Sequence, residues 1–156
     1  MSDLHDDGAL AVFERQIDEW LAALRSTNTA IVAIDHAEPD PMFRARWYVR
    51  MRGESKDFTT IWITLGQRTL RYETYVMPAP EENIPDFYEN LLRRNERLVG
   101  AHFSIGAEDA VFLRGEIPLL ALVESELDRI VGSLYAFVEQ SFRPLLRIAF
   151  ASRFVD

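Results

Sequence analysis

FRARWYVRMRGESKDFTTIWITLGQRTLRYETYVM, residues 43–77, is the stretch on which the fold turns. From Phe43 to Arg52 the residues alternate strictly. Phe43, Ala45, Trp47, Val49 and Met51 fall on one side, and Arg44, Arg46, Tyr48, Arg50 and Arg52 on the other. Successive side chains leave opposite sides of a pleated strand, so this alternation predicts a β-strand with one buried face. The run from Gly53 to Asp57 has the composition of a hairpin loop. Phe58 to Leu65 reads as the next strand, with Ile61, Ile63 and Leu65 on one face and Phe58 and Trp62 on the other. A strand apolar on both faces is expected in the middle of a sheet or under cover on both sides. Gly66-Gln67 supplies a tight turn, and Thr69 to Met77 completes an antiparallel meander.

Upstream, Leu10, Phe13, Ile17, Trp20, Leu21 and Leu24 recur at spacings of three and four, which predicts a helix from Ala9 to about Arg25. Asp6 or Asp7 is placed to cap it, and Ser26-Thr27-Asn28 to stop it. Ile31 to Asp35 is a short β-branched run, and the residues leave open whether it is a fourth strand. Pro39 and Pro41 make the next segment a loop.

Downstream, Pro78 and Pro80 end the meander, and Pro85 suits the first turn of a second helix. Its expected buried face is Phe87, Tyr88, Leu91 and Leu92, with Arg93, Arg94 and Arg97 towards its C-terminal end. Ala101 to Ile105 and Ala110 to Ile117 read as two more strands, joined by a loop at 106–109. Ser125 with Asp128 resembles a capping box for a last helix, whose stripe is Leu127, Ile130, Val131, Leu134, Val138 and Phe142. Pro144 is expected to kink or break that helix near Arg143, with Leu145 to Phe150 continuing as an apolar segment. The order is α-β-β-β-α-β-β-α, read as one α+β domain over residues 1–156, an antiparallel sheet flanked by helices.

Composition narrows the function. The 156 residues are 48% hydrophobic and 27% charged, which excludes a disordered chain. Cys is absent, so disulfides, thiolate zinc sites and Cys nucleophiles are excluded. The net charge of −8 speaks against broad nucleic-acid binding, which needs Lys and Arg to displace counterions. The N-terminal residues are acidic and unlike a signal peptide, and Ile117 to Val123 is too short to cross a bilayer. A cytoplasmic protein with no membrane contact is expected.

No set of residues converges on a catalytic site. Asp35, His36, Glu38 and Asp40 form one acidic cluster, but two prolines interrupt it and a solvated turn is the expected reading. Ser104-Ile105-Gly106 carries half of a nucleophile elbow, followed by a strand where the elbow needs a helix. Glu81-Glu82 and Glu108-Asp109 are neighbours on loops, which suits turns and caps more than acid–base work. No catalytic residue, metal or cofactor is expected.

The arginine face is the sharpest signal. Arg44, Arg46, Arg50 and Arg52 share one side of a strand with Tyr48 among them. One reading pairs them with Glu73 and other carboxylates on neighbouring strands. The other makes them a partner-binding surface, with Trp62, Tyr48 and Tyr75 adding apolar contact. The apolar excess of helices and sheet further predicts a covering partner, most simply a second copy in a homodimer.

RWYVRMRGE (46–54), TLRYETYVMPAPEEN (69–83), LLRRNERL (91–98), HFSIGAEDAVFLRGEIPL (102–119) and ELDRIVGSLYAFVEQSFRP (126–144) resemble the YbjN domain family of bacteria, and most of all its actinobacterial branch. The family is described as sensory transduction regulators, with a fold similar to type III secretion chaperones. The resemblance implies a chaperone-like or regulatory module that binds an unidentified protein or peptide, and carries over no catalytic residue. The expectation is a non-enzymatic binder. The alternative is a small-ligand sensor whose pocket is lined by Trp47, Trp62 or Phe112.

Overall fold

The computed structural model describes residues 4–154. The elements are α1 (Asp7–Thr27), β1 (Ile31–His36), β2 (Ala45–Arg52), β3 (Phe58–Leu65), β4 (Thr69–Met77), α2 (Ile84–Asn95), β5 (His102–Ile105), β6 (Val111–Pro118) and α3 (Glu124–Ala149). The strands form one sheet in the order β1-β2-β3-β4-β6-β5, with every neighbouring pair antiparallel. The run at Ile31 is therefore a strand, and the meander has four members. A register shift near Val32 and half-buried side chains weaken its alternation.

From Ala45 to Arg52 the alternation is realised as read, while Phe43 and Arg44, read as part of it, lie before the strand. Ala45, Trp47, Val49 and Met51 are buried, and they join Thr59, Ile61, Ile63 and Leu65 of β3 and Leu70, Tyr72, Thr74 and Val76 of β4 on one inner face. All three helices lie on that face: α1 against β1, α3 against β3 and β4, and α2 against β5 and α3. The helices do not flank the sheet on both sides. They make one layer, and the sheet makes the other. Trp47 is 1% exposed and its Nε1 donates to Asp18 of α1 at 2.7 Å, so one side chain ties the strand to the first helix.

Local signals account for most ends. Asp6 caps α1, its carboxylate accepting from the Ala9 amide at 2.8 Å. The capping box expected at Ser125 does not form: α3 begins after Val123, without a side-chain cap. Pro144 does not break α3 either, which runs unbroken through it to Ala149. Pro144 is exposed near the helix end, while Leu145 and Ala149 on either side of the next turn are fully buried and hold the helix to the core. On α2, Phe87 and Leu91 are buried as expected, but Leu92 is 71% exposed.

α3 also fastens the β2–β3 hairpin. The Glu139 carboxylate accepts from the amides of Glu54, Ser55 and Lys56 at 2.6, 3.2 and 3.1 Å. Tyr135 Oη donates to the Arg52 carbonyl at 3.0 Å. A Cβ at Gly53 would run into the Lys56 carbonyl oxygen and the Glu139 carboxylate, so only glycine fits there.

Candidate functional site: the open face of the sheet

Among the described residues no helix lies on the outer face of the sheet. Arg46, Tyr48, Arg50 and Arg52 of β2 project there beside Phe58 and Trp62 of β3, Tyr75 of β4 and Phe112 of β6. Phe58, Trp62 and Tyr75 are 38%, 39% and 44% exposed. Of the two readings of β3, in the middle of the sheet or under cover on both sides, the first holds: the strand is central, and one of its faces is open.

Three of the four aligned arginines share this face. Arg44 does not. It lies before β2 begins and turns to α1, with Asp7 at 3.7 Å and Glu14 at 3.5 Å. Arg46 sits over the Phe43 ring at 4.2 Å and the Trp62 ring at 5.4 Å, while its Nε donates to Thr64 Oγ1 at 2.9 Å. Arg50 sits over Phe58 at 4.1 Å, and Arg52 lies 5.8 Å from the same ring. Tyr48 meets Trp62 edge-on at 5.5 Å.

Among the described residues none of Arg46, Arg50 and Arg52 meets a carboxylate. Glu73, the partner that pairing across strands suggested, is taken by Arg114, directly opposite it on β6, at 2.6 Å. Arg114 also donates to Ser104 Oγ at 3.1 Å and lies over Phe112 at 4.5 Å. Arg71 pairs with Glu116 at 3.6 Å. A shallow trough of about 540 Å³ crosses this face, walled by Arg46, Trp62, Arg71, Glu73, His102 and Arg114 among others.

Lys56 closes the hairpin end of the face. Its Nζ donates to the Tyr75 carbonyl at 2.7 Å, 4.9 Å from the Tyr75 ring and 5.7 Å from Phe142 of α3. Burial between these rings lowers its pKa from 10.5 to about 8. Burial, and then the charge of Glu108, raises the Tyr75 hydroxyl.

Other expectations resolve elsewhere. Trp47 faces the helices and Trp62 the open side, so the two cannot line one pocket. His36 leaves its acidic loop for α1, with Nε2 at 3.1 Å from Glu14 and Nδ1 at 3.1 Å from Asp18. Among the described residues no group of three or more His, Cys, Asp or Glu could hold a metal ion. Ser104 ends in a strand whose chain turns at Ala107–Asp109 into β6, with no helix to form an elbow. Glu82 accepts from the Ser152 amide at 2.9 Å and Glu81 pairs with Arg153 at 3.2 Å, both fastening the C-terminal end. Phe43, expected on the inner side of its strand, and Arg114 add to the open face, and so does Phe58. Phe58 was visible through its parity with Trp62. Arg114 needed the β4–β6 register, which no local pattern carries.

The fold is thus a helix layer and a sheet layer, with the outer sheet face dressed in arginine and aromatic side chains. This chain belongs to the YbjN family, whose model matches residues 11–147 and is described as "Putative bacterial sensory transduction regulator". An uncharacterized protein of Mycobacterium tuberculosis is 34% identical over 104 residues, 67% of this chain and 57% of the relative. Another, from Mycobacterium leprae, is 30% identical over 114 residues, 73% of this chain and 61% of the relative. The matched segment thus spans under two thirds of these relatives. A chain of the heterodimeric ExoU–SpcU complex, from the type III secretion system of Pseudomonas aeruginosa, aligns at 18% identity and a TM-score of 0.48. That alignment covers 83% of this chain and 96% of the other. Among the described residues no helix is long and apolar enough to cross a membrane.

Proposed function

We propose that this protein is a non-enzymatic, regulatory or chaperone-like module that captures a protein or peptide on the open face of its sheet. The observation that carries this is the row Arg46, Arg50 and Arg52, held over aromatic rings with no carboxylate partner among the described residues. A guanidinium seated over a ring keeps its in-plane N–H groups for a carboxylate fork on a partner. Tyr48, Trp62 and Tyr75 supply the apolar contact that a surface anchor needs. Arg44, expected in the same surface, belongs on this reading to the α1 junction. Homodimerisation in the cytoplasm is part of the proposal. Leu92, Val99 and Leu120, exposed by 71%, 75% and 68%, leave apolar surface outside the sheet face for it.

The test is capture from lysate by wild type and by Arg46→Glu/Arg50→Glu, followed by binding measurements on each recovered protein. Loss of a partner by the folded double variant is the expected result. Equal recovery by both sinks the reading. The trough supports a second reading, a small-ligand sensor, which a ligand raising the melting temperature of wild type but not of Trp62→Ala would favour.

A further inference from the structure

The following rests on the binding reading and names the occupant. We propose that the open face takes an acidic segment in extended conformation, its alternate side chains over Arg46, Arg50 and Arg52, and that a second copy of this chain is not what covers it. The three arginines leave one side of one strand. At about 3.3 Å per residue, Arg52 stands about 7 Å from Arg50, and Arg46 about 13 Å from it. These are the separations of side chains two and four positions apart on another extended chain.

The charge balance points the same way. Arg71 and Arg114 are already matched by Glu116 and Glu73. Among the arginines of β2, β4 and β6, the β2 row is thus the set left without a carboxylate, in a chain whose net charge is −8. A partner that brings carboxylates to this row meets complementary potential. A second copy does not. A two-fold contact through this face presents the same patch to itself and sets the arginine row near its twin. A single-stranded nucleic acid fits less well, because stacking needs bare ring faces. Here Phe43 and Phe58 lie under Arg46 and Arg50.

The experiment uses the full chain and a labelled heptapeptide, Glu-Ser-Val-Ser-Glu-Ser-Glu, read by fluorescence anisotropy. Its three glutamates share one face of an extended chain. An isomer, Glu-Glu-Ser-Glu-Ser-Val-Ser, splits them over two. The expected result is at least about tenfold tighter binding of the first peptide, lost in about 0.5 M NaCl. Arg46→Glu/Arg50→Glu is expected to reverse the preference, towards the peptide with Lys in place of Glu. Arg50→Gln, which loses affinity without reversal, serves if the double variant fails to fold. Equal binding of the two isomers overturns the proposal, as does tighter binding of an oligothymidine of equal length. A wild-type dimer that the double variant abolishes in sedimentation also overturns it, since a second copy then holds the face. Should lysate capture depend on Arg46 and Arg50 while the isomers bind alike, the binding reading stands and this inference alone falls. Should neither depend on the row, both fall.

Discussion

The two faces of β2 and β3 are built from the same two strands and have opposite fates. Towards the helices, Trp47, Val49, Ile61 and Ile63 are at most 1% exposed; Trp47 Nε1 is satisfied by Asp18, while the buried Thr59 Oγ1 has no hydrogen-bond partner among the described residues. Towards the open side, Trp62 and Phe58 keep over a third of their surface, and arginines cover their rings. Both faces carry a tryptophan and further apolar side chains, so hydrophobicity alone does not separate them. What separates them is the company. β-Branched and aliphatic neighbours pack to crystal-like density, whereas guanidiniums need water or a counterion on at least one side.

Trp47 and Trp62, fifteen positions apart in the sequence, give the sharpest way to break this comparison. Trp47→Ala empties a buried site and removes the hydrogen bond to Asp18, with an expected loss of about 3–5 kcal/mol in urea unfolding. Trp62→Ala is expected to cost under about 1 kcal/mol, because half-exposed area is worth little, while weakening the binding proposed for the open face. Similar losses at both positions would mean that the outer face is covered in solution.

The hairpin that joins the two strands comes next. Glu139→Ala leaves the amides of Glu54, Ser55 and Lys56 without their shared acceptor. An expected loss of about 1–3 kcal/mol follows, with faster hydrogen exchange at these amides. Unchanged exchange would show that the loop holds its shape without α3.

The smallest effect lies at Lys56, where the rim of the open face meets α3. Burial disfavours its charged form, so its pKa of about 8 in the fold lies below the ordinary 10.5. Between those values the unfolded chain holds the extra proton, and stability from this group rises with pH. Wild type is therefore expected to gain on Lys56→Met in melting temperature between about pH 8 and pH 10, with no relative change below. A constant difference across that range would place the amine in water.

Much of this was legible in the residues. Strict alternation from Ala45 to Met51 set the face of β2, and glycine- and proline-marked breaks set the order of the remaining strands. What the sequence withheld was long-range. Neither the side of the sheet on which each helix lands nor the Glu73–Arg114 register can be read from a local period. Pro144 misled because propensity is a local cost, and the burial of Leu145 and Ala149 outweighs it. Arg44 misled because parity extends only as far as the strand, and β2 begins one residue later. For the site, residue types announced the arginine row, but only the structure placed its rings beneath it and left its carboxylates elsewhere.

The far edge of the sheet holds one more consequence. Asn95, in the last turn of α2, accepts from the Phe103 amide at 2.6 Å and donates to the Phe103 carbonyl at 3.2 Å. A side-chain amide thus plays the part of a missing seventh strand and seals β5 against further addition. At the opposite edge Arg25 reaches only the Val32 carbonyl of β1, at 3.1 Å. Growth by strand-to-strand joining needs two receptive ends, and this molecule offers one. Copies that meet edge to edge would stop at a pair and could not run on into a fibre.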